Sequence, residues 1–311
     1  MNSPVAFFAY NRPCHTFKTL KSLSENVEAI ETELYVFIDG HKKNSEMQLV
    51  DNVEKIINSF GSKFKSIKIE RSEINLTGGL SQKRGISKVL SIHESVICLE
   101  DDIYVSKQFL FYMNNALKTY KNQKKIWHIN GFNHPIKIKA DFDCFFMRAM
   151  ISWGWGTWKD RWNNFMENPL SCDPYYLKET FTKKMINEFD LKLKISIFWS
   201  QVEANASGEL SNTWDIFWYS HIFLNKGLCL TPKISLTRNI GHDGSGIHTG
   251  YDKELLSSVI DDKKITNFPI DFEENEECIR MIGRYFSKKY SFLSRLKNKI
   301  NLLFKFLVKL F

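Results

Sequence analysis

The first third of the chain alternates between short apolar runs and longer stretches with helical spacing. The short runs, which we interpret as β-strands, lie at residues 5–9, 34–38, 66–70 and 96–99. Apolar residues at steps of three and four predict helices between them, at 16–23, 43–60 and 82–92. Strands that alternate with helices form the crossover units of a parallel sheet. The pattern therefore predicts an α/β fold, with a mixed, mainly parallel sheet flanked by helices.

Polar residues come directly after three of the predicted strands. These residues are Tyr10, Asn11 and Arg12 after the first strand, Asp39 after the second, and Glu100, Asp101 and Asp102 after the fourth. In open α/β sheets, ligands bind beyond the carboxyl ends of the strands. Three adjacent carboxylates repel one another unless a cation neutralises them, and a divalent metal bound by carboxylate and phosphate oxygens does so. The alternative is a solvated acidic loop, and the motif alone does not decide between the two.

A glycine pair at 78–79 leads into the third predicted helix, and Lys83 and Arg84 lie in the first turn predicted for that helix. Glycine lets the backbone approach a ligand closely, so the two basic side chains are candidates for contact with a diphosphate. For this loop alone, an ordinary glycine turn with solvated basic residues is the favoured interpretation.

Four of the chain's eight tryptophans fall between residues 153 and 162, where Trp153 and Trp155 alternate with glycine. An indole ring offers a flat apolar face and an N–H donor, which suits stacking against a sugar ring. We therefore take Trp153 and Trp155 as candidate sugar contacts. A tryptophan-rich core loop explains the same pattern equally well.

Two further segments carry residues with catalytic chemistry. Asp215 lies in the first turn of a predicted helix, where a carboxylate either complements the helix dipole or serves as a catalytic base. A glycine-rich loop at 239–248 holds His242 and His248. Their spacing fits no helical zinc motif, but histidines in so flexible a loop can close over a metal-bound diphosphate.

Composition indicates a globular protein with a substantial core. The chain has 311 residues, of which 43% are hydrophobic and 14% aromatic. Its six cysteines show no CxxC spacing, which indicates reduced thiols in a cytosolic protein. The N-terminal residues enter a strand almost at once, so we expect no secretory signal there.

The positive charge is concentrated at the C-terminal end. The formal net charge is +8, and residues 286–311 contain seven basic residues and no acid. Large apolar residues recur there at helical spacing, which predicts a basic amphipathic helix. Such a helix suits the surface of an anionic membrane; packing on the domain or on another subunit is the alternative. Nucleic acid is not expected as a partner, because the basic residues alternate with aliphatics rather than with stacking aromatics.

Taken in order, these motifs resemble the GT-A glycosyltransferases. The resemblance is narrower to the group around N-acetylglucosaminyltransferase I and to bacterial surface-polysaccharide transferases, whose metal motif is Glu-Asp-Asp. It covers about residues 4–250. The match rests on the segments 4–13 and 99–103, on Asp39, on the Trp-Gly-Trp-Gly-Thr-Trp segment at 153–158, and on Trp214 with Asp215.

The resemblance implies a role for each candidate residue. Asp102 ligates Mn²⁺ or Mg²⁺, Glu100 and Asp101 contact the ribose and the donor sugar, and Asp39 contacts the nucleotide base with Tyr10, Asn11 and Arg12 alongside. An acid that opens a helix beyond the acceptor loop acts as base in inverting members, which implies Asp215. A late histidine sometimes binds the metal or the diphosphate, which implies either His242 or His248.

The resemblance also implies an activity. We expect a metal-dependent, inverting hexosyl- or N-acetylhexosaminyl-transferase that uses a UDP- or dTDP-sugar and acts on a glycan or lipid-linked glycan in bacterial surface polysaccharide or lipooligosaccharide synthesis. The transferase domain would span residues 1–285, with a nucleotide-sugar-binding half at 1–120 and an acceptor-binding half at 121–285. The segment 286–311 would hold this cytoplasmic enzyme at the inner face of the cell membrane.

Two other functions compete with this expectation. A sugar nucleotidyltransferase shares a Rossmann-like sheet and a metal-binding acid, but it needs a glycine-rich phosphate loop where Tyr10-Asn11-Arg12-Pro13 stands. A non-catalytic carbohydrate-binding or assembly protein would use the tryptophans to hold glycan and the tail to hold membrane. The presence of all three motif carboxylates weighs against it.

Overall fold

The computed structural model describes residues 2–139, 141–193, 195–209, 213–246 and 250–290. The strands within these ranges are β1 (Val5–Ala9), β2 (Glu33–Ile38), β3 (Ser66–Arg71), β4 (Ser95–Glu100), β5 (Ile103–Val105), β6 (Ile126–Asn130), β7 (Cys144–Met147), β8 (Trp155–Trp158), β9 (Leu228–Pro232) and β10 (Thr237–Asn239). The α-helices are α1 (Pro13–Ser24), α2 (Met47–Ser59), α3 (Gly78–Ile92), α4 (Phe109–Tyr120), α5 (Lys159–Met166), α6 (Pro174–Thr180), α7 (Lys183–Phe189), α8 (Trp199–Ser207), α9 (Asp215–Leu224), α10 (Lys253–Leu256) and α11 (Glu276–Lys289).

Eight strands form one sheet in the order β3-β2-β1-β4-β8-β6-β9-β7. The strands β3, β2, β1 and β4 run parallel to one another. The strand β8 is antiparallel to both β4 and β6, β9 runs parallel to β6, and β7 lies antiparallel to β9 at the edge. The predicted mixed, mainly parallel sheet flanked by helices is therefore confirmed. The short strands β5 and β10 pair in a separate two-stranded sheet.

Both faces of the sheet are buried. Alternate residues of β1 enter two different hydrophobic cores, with Ala6 and Phe8 in one and Val5 and Phe7 in the other. Because successive side chains of a strand point to opposite faces, a strand covered on both sides must be apolar throughout. This burial explains why β1, β2 and β4 are continuous apolar runs rather than alternating ones.

The helix α3 begins earlier than the sequence predicts. It starts at the glycine pair Gly78-Gly79, so Lys83 and Arg84 lie in its second turn rather than its first. The helix α1 also starts early, at Pro13, since proline suits the first helical position, where an N–H has no intrahelical partner.

The tryptophan-rich segment is mainly core. Trp155 is 1% exposed and stacks on Trp214, with the ring centroids 5.4 Å apart. Trp162 and Trp218 pack edge to face at 5.5 Å in the same core. Of the two interpretations that the sequence leaves open, burial favours the structural one for Trp155 over the predicted sugar contact.

The C-terminal described element, α11, crosses the predicted domain boundary at residue 286. Phe286 is buried in the core, and Lys289 pairs with Asp252 at 2.7 Å. Residues 286–289 therefore belong to the folded body, and the remainder of the predicted amphipathic helix, 291–311, lies outside the described residues. None of the helices in the described ranges is long and apolar enough to cross a bilayer.

We predict that Gly154→Ala destabilises the fold more than Gly208→Ala. Both glycines have a positive φ, 77° and 79°, which costs an alanine about 1 kcal/mol or more. Only at Gly154 would the new Cβ also meet another side chain, Thr237 Cγ2 at 2.8 Å, whereas no described atom lies within 4 Å of a Cβ at Gly208. We expect Gly154→Ala to lower the free energy of unfolding, measured with urea, by about 1–3 kcal/mol more than Gly208→Ala does. Equal losses would show that Thr237 moves aside freely.

Candidate active site

The polar residues predicted at the strand ends do converge. In the parallel register Phe8 of β1 lies beside Glu100 of β4, and Ala9 lies beside Ile38 of β2. The backbone N–H of Tyr10 consequently reaches Asp101 Oδ2 at 3.4 Å. The residues after β1, β2 and β4 thus share one edge of the sheet.

The guanidinium of Arg12 lies between two carboxylates of the acidic motif. Its Nη2 donates to Asp102 Oδ2 at 2.9 Å and also contacts Asp101 Oδ1. Burial opposes the positive charge, but the two carboxylates together raise the pKa of Arg12 above its ordinary value. Asp101 and Asp102 are only 3% and 8% exposed, which excludes the solvated-loop alternative. Arg12 is therefore a counter-ion that the chain itself supplies.

One arginine does not cancel the charge of this cluster. Burial, together with the charges of Asp102, Asp101 and Asp215, raises the pKa of Glu100 to about 8. Burial also raises the pKa of Asp101, even though Arg12 opposes the shift. The cluster therefore favours any further positive charge, whether a proton or a cation.

Asp215 approaches the cluster from a distant part of the sequence. It is the first residue of α9, and its charge acts directly on Glu100. It also lines a cleft of about 280 Å³. The other walls of this cleft include Trp153, Gln201, Tyr219, His242, Tyr285 and Lys289. The predicted base therefore acts electrostatically on the predicted metal motif, and it lines a cleft whose described walls do not include the motif carboxylates themselves.

A tight turn at Ile240–Asp243 closes on the acidic motif. The backbone N–H of Ile240 donates to the carbonyl of Asp102 at 2.8 Å. A Cβ at position 241 would lie 2.2 Å from Asp102 Oδ2, so the turn can come this close only because residue 241 is glycine. This approach brings His242 to the cluster.

The imidazole of His242 has an unused nitrogen. Its Nε2 is buried and makes no hydrogen bond to any described residue, and the ring packs 5.2 Å from that of Trp153. Burial lowers the pKa of His242, although the nearby charges of Asp252 and Asp102 oppose the shift. A neutral imidazole with a free nitrogen can ligate a metal ion. His248, the competing histidine, lies outside the described residues.

The side chains present fit a divalent cation only in part. A carboxylate oxygen from Asp102 and a nitrogen from His242 are donors that Mn²⁺ accepts. Among the described residues, however, no group of three or more His, Cys, Asp or Glu side chains is placed to hold an ion. A cation here would need further oxygen ligands from a bound phosphate or from water, as is usual for Mg²⁺ at phosphate sites.

Sequence reasoning missed Glu46, which orders the loops around the site. Its carboxylate accepts hydrogen bonds from Tyr10 Oη at 2.7 Å and from Asn11 Nδ2 at 3.0 Å. Asp39 has a similar task, since its Oδ1 accepts from the N–H groups of Gly40 at 3.0 Å and Leu76 at 2.7 Å. Glu46 lies in a polar stretch with no distinctive spacing, so no sequence signal could have singled it out.

Three predicted contact residues do not line the cleft of Asp215. Lys83 and Arg84 line another cleft of about 730 Å³, whose walls include Ile38 at the end of β2 and Leu76, the donor to Asp39. Trp155 is in the core, whereas its neighbour Trp153 lines the cleft beside Asp215.

Comparison with known proteins gives matches of overall shape only. No family model matches the chain, and no curated protein does. Two crystal structures of S. aureus TarS, one of residues 1–349 and one longer, give TM-scores of 0.44 and 0.46 at 12% and 11% identity, over 78% and 94% of this chain. The matches span 62% and 44% of those two structures.

Two further solved structures show weaker likeness. The galactosyltransferase LgtC with donor and acceptor sugar analogs gives a TM-score of 0.36 at 9% identity, over 74% of this chain and 86% of that one. The 4-diphosphocytidyl-2C-methyl-D-erythritol synthase from Anaerococcus prevotii gives 0.34 at 12% identity, over 72% and 96%. Similarity at this level does not identify an activity.

We predict that Glu100→Gln flattens the pH dependence of stability. The folded chain keeps a proton on Glu100 up to about pH 8 that the unfolded chain loses near its ordinary value of 4.5. Wild-type stability therefore falls as the pH rises through this interval. We expect Glu100→Gln to lose less stability than the wild type between pH 6.5 and 8. At pH 8 its melting temperature should be higher than that of the wild type by a few degrees (on the order of 2–4 °C).

The check is calorimetry without divalent ions, with the exposed Glu31→Gln as the matched control. Raising the pH should affect the control and the wild type alike. Parallel curves for the wild type and Glu100→Gln would contradict a protonated Glu100.

Proposed function

We propose that this protein is a metal-dependent, inverting glycosyltransferase of the GT-A type, which moves a hexosyl or N-acetylhexosaminyl group from a UDP- or dTDP-sugar to a hydroxyl of a glycan. The observation that carries the proposal is that the charge of Asp215 acts on the buried cluster Glu100-Asp101-Asp102, while Asp215 itself lines a cleft together with His242. A transferase needs this arrangement, because charge must be stabilised on the leaving diphosphate while a proton is removed from the acceptor.

The nucleotide donor would lie along the carboxyl ends of β1, β2 and β4. Asp39 and the turn Tyr10-Asn11-Arg12 would border the base and phosphates, and Glu100 and Asp101 the ribose and sugar. Glu46 and the backbone bonds of Asp39 hold these loops in fixed positions before any ligand arrives. Lys83 and Arg84 would contact the donor, if at all, from the neighbouring cleft, which they line together with Ile38 and Leu76.

A divalent ion, Mn²⁺ or Mg²⁺, would be held by Asp102 and His242. When bound, it would act as a Lewis acid toward the diphosphate oxygens. The buried Nε2 of His242 without a partner and the excess negative charge of the cluster both support this assignment. His248 is the other histidine that the sequence offers for this role.

Asp215 would act as the base. It would take the proton of the acceptor hydroxyl as that oxygen bonds to the anomeric carbon and the carbon–oxygen bond to the diphosphate breaks. A single base and direct attack invert the anomeric centre.

The cleft beside Asp215 suits a sugar acceptor. Trp153, Tyr219 and Tyr285 give it aromatic walls, and Gln201 adds a hydrogen-bonding group. We place the enzyme at the cytoplasmic face of a bacterial membrane, in surface polysaccharide or lipooligosaccharide synthesis, on the sequence of 291–311, the part of the predicted segment beyond the folded residues 286–289. A sugar nucleotidyltransferase is disfavoured because the turn after β1 holds Arg12 on the acids and contains no glycine.

We predict that Mn²⁺ with UDP or dTDP raises the melting temperature of the wild type and not that of Asp102→Asn. Loss of the carboxylate would also lower donor turnover, measured as nucleotide release, by about 10²–10³-fold, the usual effect of removing one electrostatic contact to a transition state. The exposed Asp271→Asn is the matched control and should behave as wild type. Normal turnover by Asp102→Asn would refute the metal role. If Mn²⁺ with UDP or dTDP left the melting temperature of the wild type unchanged, the non-catalytic alternative would be favoured.

We predict that Asp215→Asn retains the thermal response to Mn²⁺ and nucleotide but loses transfer. Removal of a general base lowers the rate by about 10²–10⁴-fold. The assay is sugar transfer to a panel of glycan acceptors at saturating donor. Glu203→Gln, at an exposed position of α8, is the control. Should Asp215→Asn keep the wild-type rate while Glu203→Gln loses it, the base is Glu203.

A further inference from the structure

The helix α11 has three chemically distinct faces. One is buried in the core and carries Cys278, Ile279, Ile282, Gly283 and Phe286. The second faces the cleft of Asp215 through Tyr285 and Lys289. The third is exposed and basic, with Arg280, Arg284 and Lys288 at four-residue steps, which places them along one stripe of the helix.

Arg280 and Arg284 of this stripe lie in one wall of a groove of about 400 Å³. The opposite wall is the loop after β6, which contributes Lys137 and Lys139. Met281 and a single acid, Glu277, complete the lining. Four cations thus share one exposed groove with one carboxylate.

These cations differ from several other basic residues of the folded body. Lys192 pairs with Glu276 at 3.0 Å, Lys125 with Glu273 at 2.8 Å, and Lys263 with Asp143 at 2.9 Å. By contrast, none of Lys137, Lys139, Arg280 and Arg284 forms an ion pair with any of the described residues. Their charge is therefore available to an external anion.

We propose that the groove between α11 and the 137–139 loop docks the folded body on an anionic lipid bilayer. Each basic side chain near such a surface contributes on the order of 1 kcal/mol. The chain continues from α11 into 291–311, whose sequence holds five more basic residues, no acid, and many leucines and phenylalanines. The body and the tail therefore present charge of the same sign from adjoining parts of the chain.

Lipid fits the groove better than nucleic acid does. Proteins that bind single strands use aromatic side chains on which bases stack, and the lining of the groove contains no aromatic residue. The apolar Met281 among the cations suits a lipid surface, where charged headgroups lie above hydrocarbon.

Docking through this groove would fix how the candidate active site is oriented relative to the membrane. Tyr285 and Lys289 line the cleft of Asp215 from the same helix that would rest on the bilayer. If the proposed glycosyltransferase function holds, on which this consequence rests, the cleft lies next to the membrane surface and the acceptor belongs to the class of lipid-linked glycans.

The test compares vesicle binding by full-length variants. The probes are sedimented vesicles of phosphatidylcholine alone and of phosphatidylcholine with phosphatidylglycerol. We expect Arg280→Glu/Arg284→Glu to lower the partition coefficient on anionic vesicles by about 10–100-fold, and Arg280→Gln/Arg284→Gln to lower it by a smaller factor. Lys118→Glu/Lys121→Glu, at the C-terminal end of α4, makes the same change in net charge at two exposed positions. The buried face of α4 packs in the core that holds Val5 and Phe7, whereas α11 packs in the core that holds Ala6 and Phe8, so this variant should stay near the wild-type value.

Several results would overturn the proposal. They are equal losses for both charge reversals, no loss for the reversal on α11, equal binding to neutral vesicles, or tighter binding to single-stranded DNA through Arg280 and Arg284. The proposed function is tested independently by the rise in melting temperature with Mn²⁺ and UDP or dTDP. The α11 variants should keep this response. If the wild type lacks this thermal response but the charge reversal on α11 still lowers vesicle binding, the proposed transferase function is refuted and the docking surface stands.

Discussion

The organisation of the site depends on the burial of like charges at the end of β4. The strand register fixes Glu100 beside Phe8, and the next two residues are forced into the same corner. Carboxylates there repel one another and lose water. Arg12 offsets part of this cost, and it can do so because the turn after β1 ends beside the end of β4. The parallel pairing of two strands therefore places both the charge and its counter-ion.

The aromatic core has a function in this arrangement as well as a stabilising role. Trp155 lies on β8 next to Cys98 of β4, and Trp214 stacks on Trp155. Because Asp215 comes directly after Trp214, this stacking holds the start of α9 against β8, the neighbour of β4 in the sheet. The burial that makes Trp155 a core residue therefore also helps to position Asp215.

Strand periodicity was visible in the sequence, whereas side-chain packing was not. Continuous apolar runs between helices indicated a parallel sheet, and its geometry required Asp39 and Asp101 to share an edge. Nothing in the spacing distinguishes the buried Trp155 from the cleft residue Trp153, because both alternate with glycine. The sequence also did not show where the folded body ends and the basic tail begins. The basic residues at 288–289 share the pattern of 291–311, although Lys289 pairs with Asp252 in the body.

Burial also decides how the acidic motif should be interpreted. Breaking or removing one partner of a buried ion pair is costly, and apolar residues of similar volume usually stabilise a core at least as well as such a pair does. A sheet that had only to fold would gain nothing from three acids and one arginine at this point. Unfavourable electrostatics of this kind persist where a ligand relieves them. The incomplete neutralisation of Glu100, Asp101 and Asp102 by Arg12 is therefore an electrostatic cost to the fold, and the proposed cation would offset it.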